Sequence, residues 1–180
     1  MKLLSQLIEK RMARSWIENV VGEYYRKLGY FVIENFTYFS QTPDKRIPGW
    51  QEIDVLATKV DELKIVSCKR GLTPSGYRRL PMYFKMHVNA LGKSPYSWLL
   101  QKSKGRIENV LVIEYPRKEH VKMIERKVKV VPLKQILLEY VFLLERELTA
   151  NGGREGMESN FVTRTVKALI EYGIIPSIAP

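Results

Sequence analysis

The chain has 180 residues, enough for one ordinary domain with a full core, and its 30 Lys plus Arg against 19 Asp plus Glu give a formal charge of +11. That excess suits a polyanionic partner, nucleic acid first, better than an acidic protein or a small neutral ligand; the plainer alternative is a basic protein whose charge only keeps it dispersed. One cysteine excludes an internal disulfide, and two histidines, His87 and His120, leave no Cys/His set for a structural zinc.

The first eleven residues carry charge too early, and too short an apolar run, for a signal peptide, and no run approaches membrane-spanning length, so a soluble protein of a reducing, cytoplasmic compartment without a membrane partner is expected. Residues 2–28 have helix-forming composition, with Ile17, Val20, Val21, Tyr24 and Leu28 at helical spacing and Gly29 as the stop. Tyr30 to Phe39 is aromatic and β-branched, a long bent strand, and Gln41 to Gly49, with Pro43 and Pro48, is a loop. Residues 50–58 and 63–69 form the second and third strands, joined as a hairpin through Asp61-Glu62. From Thr73 to Gly105 helical patches around Arg78 to Leu91 and Ser97 to Lys102 are broken by Pro74, Gly76, Pro81 and Pro95. Asn109 to Glu114 is an apolar fourth strand suited to a sheet interior, Pro116 to Glu125 a short helix, and Val128 to Val131 a fifth strand. An amphipathic helix runs to about Leu148, Asn151-Gly152-Gly153 turns, and Glu158 to Tyr172 is a last helix. A strand meander followed by helical crossovers implies an α/β fold in three layers, a mixed sheet of about five strands flanked by helices. The expected organisation is a core over residues 1–148 with a helical extension, 149–180, packed on it.

The chemistry concentrates on the second and third strands. Residues two apart in a strand share a face, so Glu52 goes with Asp54 and Ser67 with Lys69. Pairing the strands brings a carboxylate and an ammonium together at the sheet's edge, where a carboxylate can hold Mg²⁺ and a lysine can orient the attacking water and offset charge on a phosphorane-like transition state. A strand-edge salt bridge between Asp54 and Lys69 is the bland counterpart. Cys68 reads as a small core side chain, and His87 and His120, lacking partners at ligand spacing, read as surface or loop residues. No acid occurs between Leu63 and Ile107, whereas Arg70, Arg78, Arg79, Lys85, Lys93, Lys102, Lys104 and Arg106 all fall there, with Tyr77, Tyr83, Phe84, Tyr96 and Trp98 interleaved as stacking surfaces or as core. Leaving from Lys69, this segment is expected to flank the site and hold phosphates.

Trp16 to Val32, with Glu18 about three turns before Gly29-Tyr30-Phe31, followed by Glu52-Ile53-Asp54 and Ser67-Cys68-Lys69, resembles the PD-(D/E)xK restriction-endonuclease-like superfamily, in its Mrr-like and archaeal Holliday-junction resolvase-like branches. The motifs span residues 14–71, and the order of elements continues the similarity to about 148. The resemblance implies a restriction-endonuclease-like fold and Mg²⁺ or Mn²⁺ held by Glu18, Asp54, the residue at Ser67 and the Cys68 carbonyl, with Lys69 assisting the nucleophilic water. Ser67 departs from the pattern, since the family carries an acid there and a hydroxyl is a poor Mg²⁺ ligand. Either Glu52 supplies the missing carboxylate or the chain is a degenerate nuclease that binds without cutting. Glu18 also completes a Ser15-x-x-Glu18 capping box, Glu23 is a competing helix acid, and the literal Pro43-Asp44 pair is a decoy in a polar loop. The expected function is a metal-dependent DNA endonuclease acting on duplex or branched DNA. The alternatives are a non-catalytic nucleic-acid binder and a protein-interaction module built on Ile136 to Leu148 and Phe161 to Ile175. Cutting both strands usually takes two sites, which leaves a homodimer open.

Overall fold

The computed structural model describes residues 16–40, 49–150 and 161–171. Ser15, the Pro43-Asp44 pair and the Asn151 to Gly153 turn lie outside them. Helix α1 (residues 16–27) ends where Gly29 adopts φ +82°, and the Gly29 and Tyr30 amides donate to the Arg26 and Tyr25 carbonyls at 2.9 and 3.0 Å. That is a Schellman closure, in which glycine supplies the left-handed residue and two orphan carbonyls are satisfied.

Five strands come after it: β1 (Phe31–Ser40), β2 (Gly49–Lys59), β3 (Glu62–Lys69), β4 (Ile107–Ile113) and β5 (Lys129–Pro132). They lie side by side in chain order; β1, β2 and β3 form an antiparallel meander, while β4 is parallel to β3 and β5 parallel to β4. A parallel return needs a crossover, and α2 (Pro74–Gly92) and α3 (Trp98–Lys102) provide it between β3 and β4, as the short α4 (Lys118–Val121) does between β4 and β5. The sheet is mixed and its helices cover both faces, as the element order implied. Leu56, Leu63, Ile65, Leu111 and Ile113 pack on one face with Tyr77, Leu80, Phe84 and Leu91 of α2 and Leu99 of α3. Val55, Ala57, Val66, Val110 and Val112 alternate with them and are also buried. Gly22 of α1 lies against the Glu34 side chain and Arg26 reaches it at 2.7 Å, and Glu34 is opposite Val55, which places α1 on this second face.

Helix α2 contains the expected Arg78 to Leu91 patch and α3 falls on the Ser97 to Lys102 patch, but α2 starts earlier and is not broken at Pro74, Gly76 or Pro81. Thr73 caps it, its Oγ1 accepting from the Gly76 amide at 3.2 Å, Pro74 occupies the first turn, and the helix continues through Pro81. Proline at the start of a helix has no bond to lose, and an interior one costs a hydrogen bond. That cost is offset by a buried stripe, Tyr77, Leu80, Phe84, His87 and Leu91, at spacings of three and four.

The β2–β3 turn sits one residue earlier than the sequence suggested, at Val60-Asp61, because Lys59 pairs with Glu62. Val60 has φ +45° and is 73 % exposed, a β-branched residue in left-handed backbone with no burial in return. Val60→Asn is expected to raise the unfolding free energy by about 1 kcal/mol, since asparagine tolerates this conformation. A urea midpoint that is unchanged or lower would show that the turn is not strained.

Two compact units divide the chain, residues 1–133 and 134–180. The second comprises α5 (Leu133–Ala150), apart from its first residue, and α6 (Phe161–Glu171), whereas the sequence boundary at 148 groups α5 with the core. Within it Tyr140 and Thr163 share a buried hydroxyl hydrogen bond of 2.5 Å, and Lys167, buried, pairs with Glu147 at 3.3 Å. Among the described residues no helix is long and apolar enough to cross a membrane.

Candidate active site

The register brings the motif residues together. Val55 pairs with Val66 and Leu56 with Ile65, so the same antiparallel register sets Asp54 opposite Ser67. On the other side Glu34 pairs with Val55 and Phe36 with Ile53, which sets Asn35 opposite Asp54. That ladder position is unpaired, and Asn35 has φ +55°. Asn35, Asp54 and Ser67 therefore form one row across three strands.

Three donors converge on a single oxygen of the buried Asp54 carboxylate. Its Oδ2 accepts from Lys69 Nζ at 2.8 Å, the Cys68 backbone amide at 2.5 Å and Ser67 Oγ at 3.1 Å. Among the described residues none donates to Oδ1. The Lys69 side chain keeps 39 % of its exposure against 8 % for Asp54, so the ammonium bridges the buried acid and solvent. Ser67 thus orients the carboxylate next to it, a task an acid at that position would perform poorly beside Asp54. Burial, then the negative fields of Asp54 and Glu18, push the Cys68 thiol well above its ordinary pKa, which leaves it a neutral core group that contributes its backbone amide.

Asn35 links the remaining acids. In the amide orientation that hydrogen bonding requires, its nitrogen donates to Glu18 Oε2 at 3.0 Å and to Glu52 Oε1 at 3.1 Å. Glu18 is buried on α1, Glu52 is exposed on β2, and one amide from β1 holds both. Glu18 and Glu23 take different partners. Glu23 pairs with Arg26 at 2.5 Å, and Arg26 also reaches Glu34 of β1 at 2.7 Å, next to Gly22, where a Cβ would meet Glu34 Oε1 at 2.2 Å. Glu18 meets Asn35, whereas Arg26, paired with Glu23 on its own helix, ties that helix to Glu34 of β1. Among the described residues no three His, Cys, Asp or Glu side chains form a closed metal-binding group.

His87 is not the surface residue the sequence suggested. It is buried on the inner stripe of α2, its Nδ1 lies 2.8 Å from Tyr38 Oη, and its ring meets Tyr38 and Phe84 edge to face. Burial lowers its pKa to about 4, with the Asp54 carboxylate opposing and the Lys69 ammonium assisting, so both motif residues are its electrostatic neighbours. The helical spacing of Leu80, Phe84, His87 and Leu91 was the available signal, and for Asn35 it was an asparagine inside an aromatic run. His120 is half-buried against the Tyr77 ring.

The basic segment divides. Arg78, Arg79 and Lys85 are exposed on α2, and Lys93, Lys102 and Lys104 are exposed between the end of α2 and the start of β4, with Lys102 Nζ 5.9 Å from the ring of exposed Trp98. Tyr77 and Phe84 are core, whereas Tyr96 and Trp98 reach solvent. Arg70 pairs with Glu114 at 3.1 Å beside Lys69. Arg106 pairs with Asp61 at 3.0 Å, at the turn end of the sheet. Leu63 is opposite Ile107 and Lys69 opposite Ile113, so Arg106 lies more than six strand positions, roughly 20 Å, from the Lys69 end. It does not flank Asp54, which corrects the expectation that the whole segment would, because β4 starts at the opposite end of the sheet from where β3 finishes. That far end carries its own charge cluster, in which Lys64 pairs with Glu62 and Glu108, Tyr30 donates to Glu62 at 2.6 Å and Lys129 pairs with Glu108 at 3.2 Å.

No family model matches the chain, and no curated protein matches it in sequence. Two solved structures are similar. One is a protein of unknown function, AF1548, at 17 % identity and a TM-score of 0.47, covering 89 % of this chain and 97 % of that one. The other is protein VC1899 from Vibrio cholerae, at 15 % identity and a TM-score of 0.47, covering 78 % of this chain but only 34 % of that protein. Similarity at this level does not bear on function.

Proposed function

We propose that the chain is a metal-dependent DNA endonuclease of the PD-(D/E)xK type, hydrolysing a phosphodiester with an activated water. The observation that carries this reading is the Asp54–Lys69 contact at 2.8 Å, with Asp54 Oδ1 facing no described donor and Glu18 and Glu52 joined through Asn35 on the neighbouring strand. These are hard oxygen donors of the kind Mg²⁺ and Mn²⁺ take, and Mg²⁺ keeps several waters and needs only one or two carboxylates. Asp54 and Glu18 would hold the ion, with Glu52 in place of the acid that Ser67 lacks and the Cys68 carbonyl as a further oxygen. Bound there, it would supply Lewis acidity and lower the pKa of a coordinated water.

The protein's own groups have separable tasks. Ser67 and the Cys68 amide fix the Asp54 carboxylate, so one oxygen is committed to the fold and the other is left for a ligand. Lys69, half in solvent, can leave Asp54 to meet a phosphate oxygen and offset the charge that builds there during attack. Arg78, Arg79, Lys85, Lys93 and Lys102 offer phosphate contacts along the exposed helices, without sequence preference. This reading assigns the protein to the cytoplasm, acting on duplex or branched DNA, as a homodimer where both strands are cut. Ser67 favours one other reading, a binding-only protein that keeps the same fold.

Cleavage of supercoiled plasmid and of a labelled four-way junction in Mg²⁺, Mn²⁺ or EDTA separates the two. The expected result is metal-dependent nicking that Asp54→Asn and Lys69→Ala each reduce about 100-fold or more, the scale of losing a transition-state charge contact. Retention of DNA in EDTA with no cutting in either metal would leave the binding-only reading standing.

A further inference from the structure

The connection between α2 and β4 carries a surface that the hydrolytic reading leaves without a task. Leu99 is fully buried and Leu100 packs against the same core, so these two side chains hold α3 to the sheet. The aromatic residues just before them stay at the surface, Trp98 with 43 % of its area exposed and Tyr96 with 37 %. Lys102 Nζ stands 5.9 Å from the Trp98 ring centroid, and Lys93 and Lys104 are exposed on either side of the pair along the chain. Among the described residues none of these three lysines pairs with a carboxylate, and no acid occurs between Leu63 and Ile107, so the surface is cationic with nothing of its own to neutralise it. One contact sets its position relative to the motif residues. The Tyr96 ring meets Phe36 edge to face at 5.5 Å, and Phe36 follows Asn35 on β1 and is opposite Ile53, the residue before Asp54. The Tyr96 end of the surface therefore borders the row of Asn35, Asp54 and Ser67 at its β1 side.

We infer that Tyr96 and Trp98 form a stacking platform for unpaired bases, with Lys93, Lys102 and Lys104 on the flanking phosphates, and that the substrate is DNA with a single-stranded segment beside a duplex, as at a fork or branch. The assignment rests on the nucleic-acid reading above and deepens it, but does not require cleavage. An exposed ring can take any base, and a base has a free face only where it is not already stacked and paired inside a duplex. Each stacked nucleotide also brings a phosphate, so a platform needs cations next to its rings, and Lys102 beside Trp98 supplies that pairing. Because Tyr96 borders the motif row, the stacked segment adjoins the phosphodiester that Asp54 and Lys69 would meet.

The test is binding to the intact chain in EDTA, read by the anisotropy of one labelled DNA strand presented alone, in a blunt duplex, and in a forked duplex with unpaired arms. Wild type is expected to bind the fork about five-fold or more tighter than the blunt duplex. Trp98→Ala and Tyr96→Ala should each weaken fork and single-strand binding about ten-fold and leave the blunt duplex within about two-fold, and Trp98→Phe should recover most of the loss. Tryptophan emission gives a second reading that leaves the platform intact. With Trp16→Phe and Trp50→Phe, Trp98 is the single tryptophan, and an oligothymidine strand should quench it along the binding isotherm. The wild-type comparison of fork with duplex decides even where a variant folds poorly. Equal wild-type affinity for the two, equal losses on both in the alanine variants, or unquenched Trp98 emission while DNA binds overturns the platform and leaves the nuclease reading intact. Failure of wild type to bind any of the three DNAs defeats both.

Discussion

Replacing Asp54 with alanine is expected to lower the unfolding free energy by about 3 kcal/mol, the scale of leaving two buried hydrogen-bond donors without an acceptor. The carboxylate is 8 % exposed and accepts from Lys69, the Cys68 amide and Ser67. Lys69 is exposed enough to regain water, so its loss is small, whereas Ser67 and the Cys68 amide are buried and each loses an acceptor. Asp54→Asn keeps a carbonyl in the same place and is expected to cost about 1 kcal/mol, while placing an amide where the second carboxylate oxygen was. Urea unfolding of the three proteins at pH 7 measures the ordering. If alanine and asparagine cost the same, the three hydrogen bonds do not hold the β2–β3 end together, and Asp54 is a surface acid with an incidental lysine. If they separate, asparagine is the variant in which lost cleavage reports chemistry and not folding.

A comparable effect is expected from acid on His87. Its native pKa, about 4, lies below the usual 6.5 because burial disfavours the imidazolium. Between those values the unfolded chain binds more protons than the folded one, so the stabilising contribution is complete above pH 6.5. It declines as pH falls and stops changing below about 4. The whole window is worth about 3 kcal/mol, of which about 2 kcal/mol is lost by pH 5, before most carboxylates protonate. Urea unfolding at pH 7.5 and pH 5 is expected to show this loss in wild type and not in His87→Gln. Equal slopes in the two proteins would mean that His87 is hydrated and titrates normally. The acids at the other end of the sheet respond in a different range, since Lys64 and Tyr30 hold Glu62, and Lys64 and Lys129 hold Glu108, below their ordinary values.

The elements of this chain were legible because their signals are local. Apolar periodicity marked α1, the unbroken apolar run of β4 required cover on both faces, and alternation on β2 and β3 fixed which residues share a side. The order of elements then left a meander with parallel returns, which is the mixed sheet observed. Where local reading failed, a non-local term prevailed. Pro81 interrupts helix propensity, but five side chains at helical spacing bury against the sheet and carry α2 through it.

Asp54 and Lys69 could be paired from sequence because a short hairpin permits few registers, and a one-residue slip would turn both to the wrong face. Composition likewise established the cationic surplus and the single cysteine, which cannot close a disulfide within the chain. The rest depended on contacts between residues far apart in the chain: Glu18 and Glu52 joined by Asn35, Glu23 drawn away by Arg26, His87 buried against Tyr38, and Arg106 carried to the far end by the parallel return of β4. The physical reason is that a side chain's periodicity reports which way it points, whereas its charge state, partner and distance from a site are set by what the folded chain brings against it.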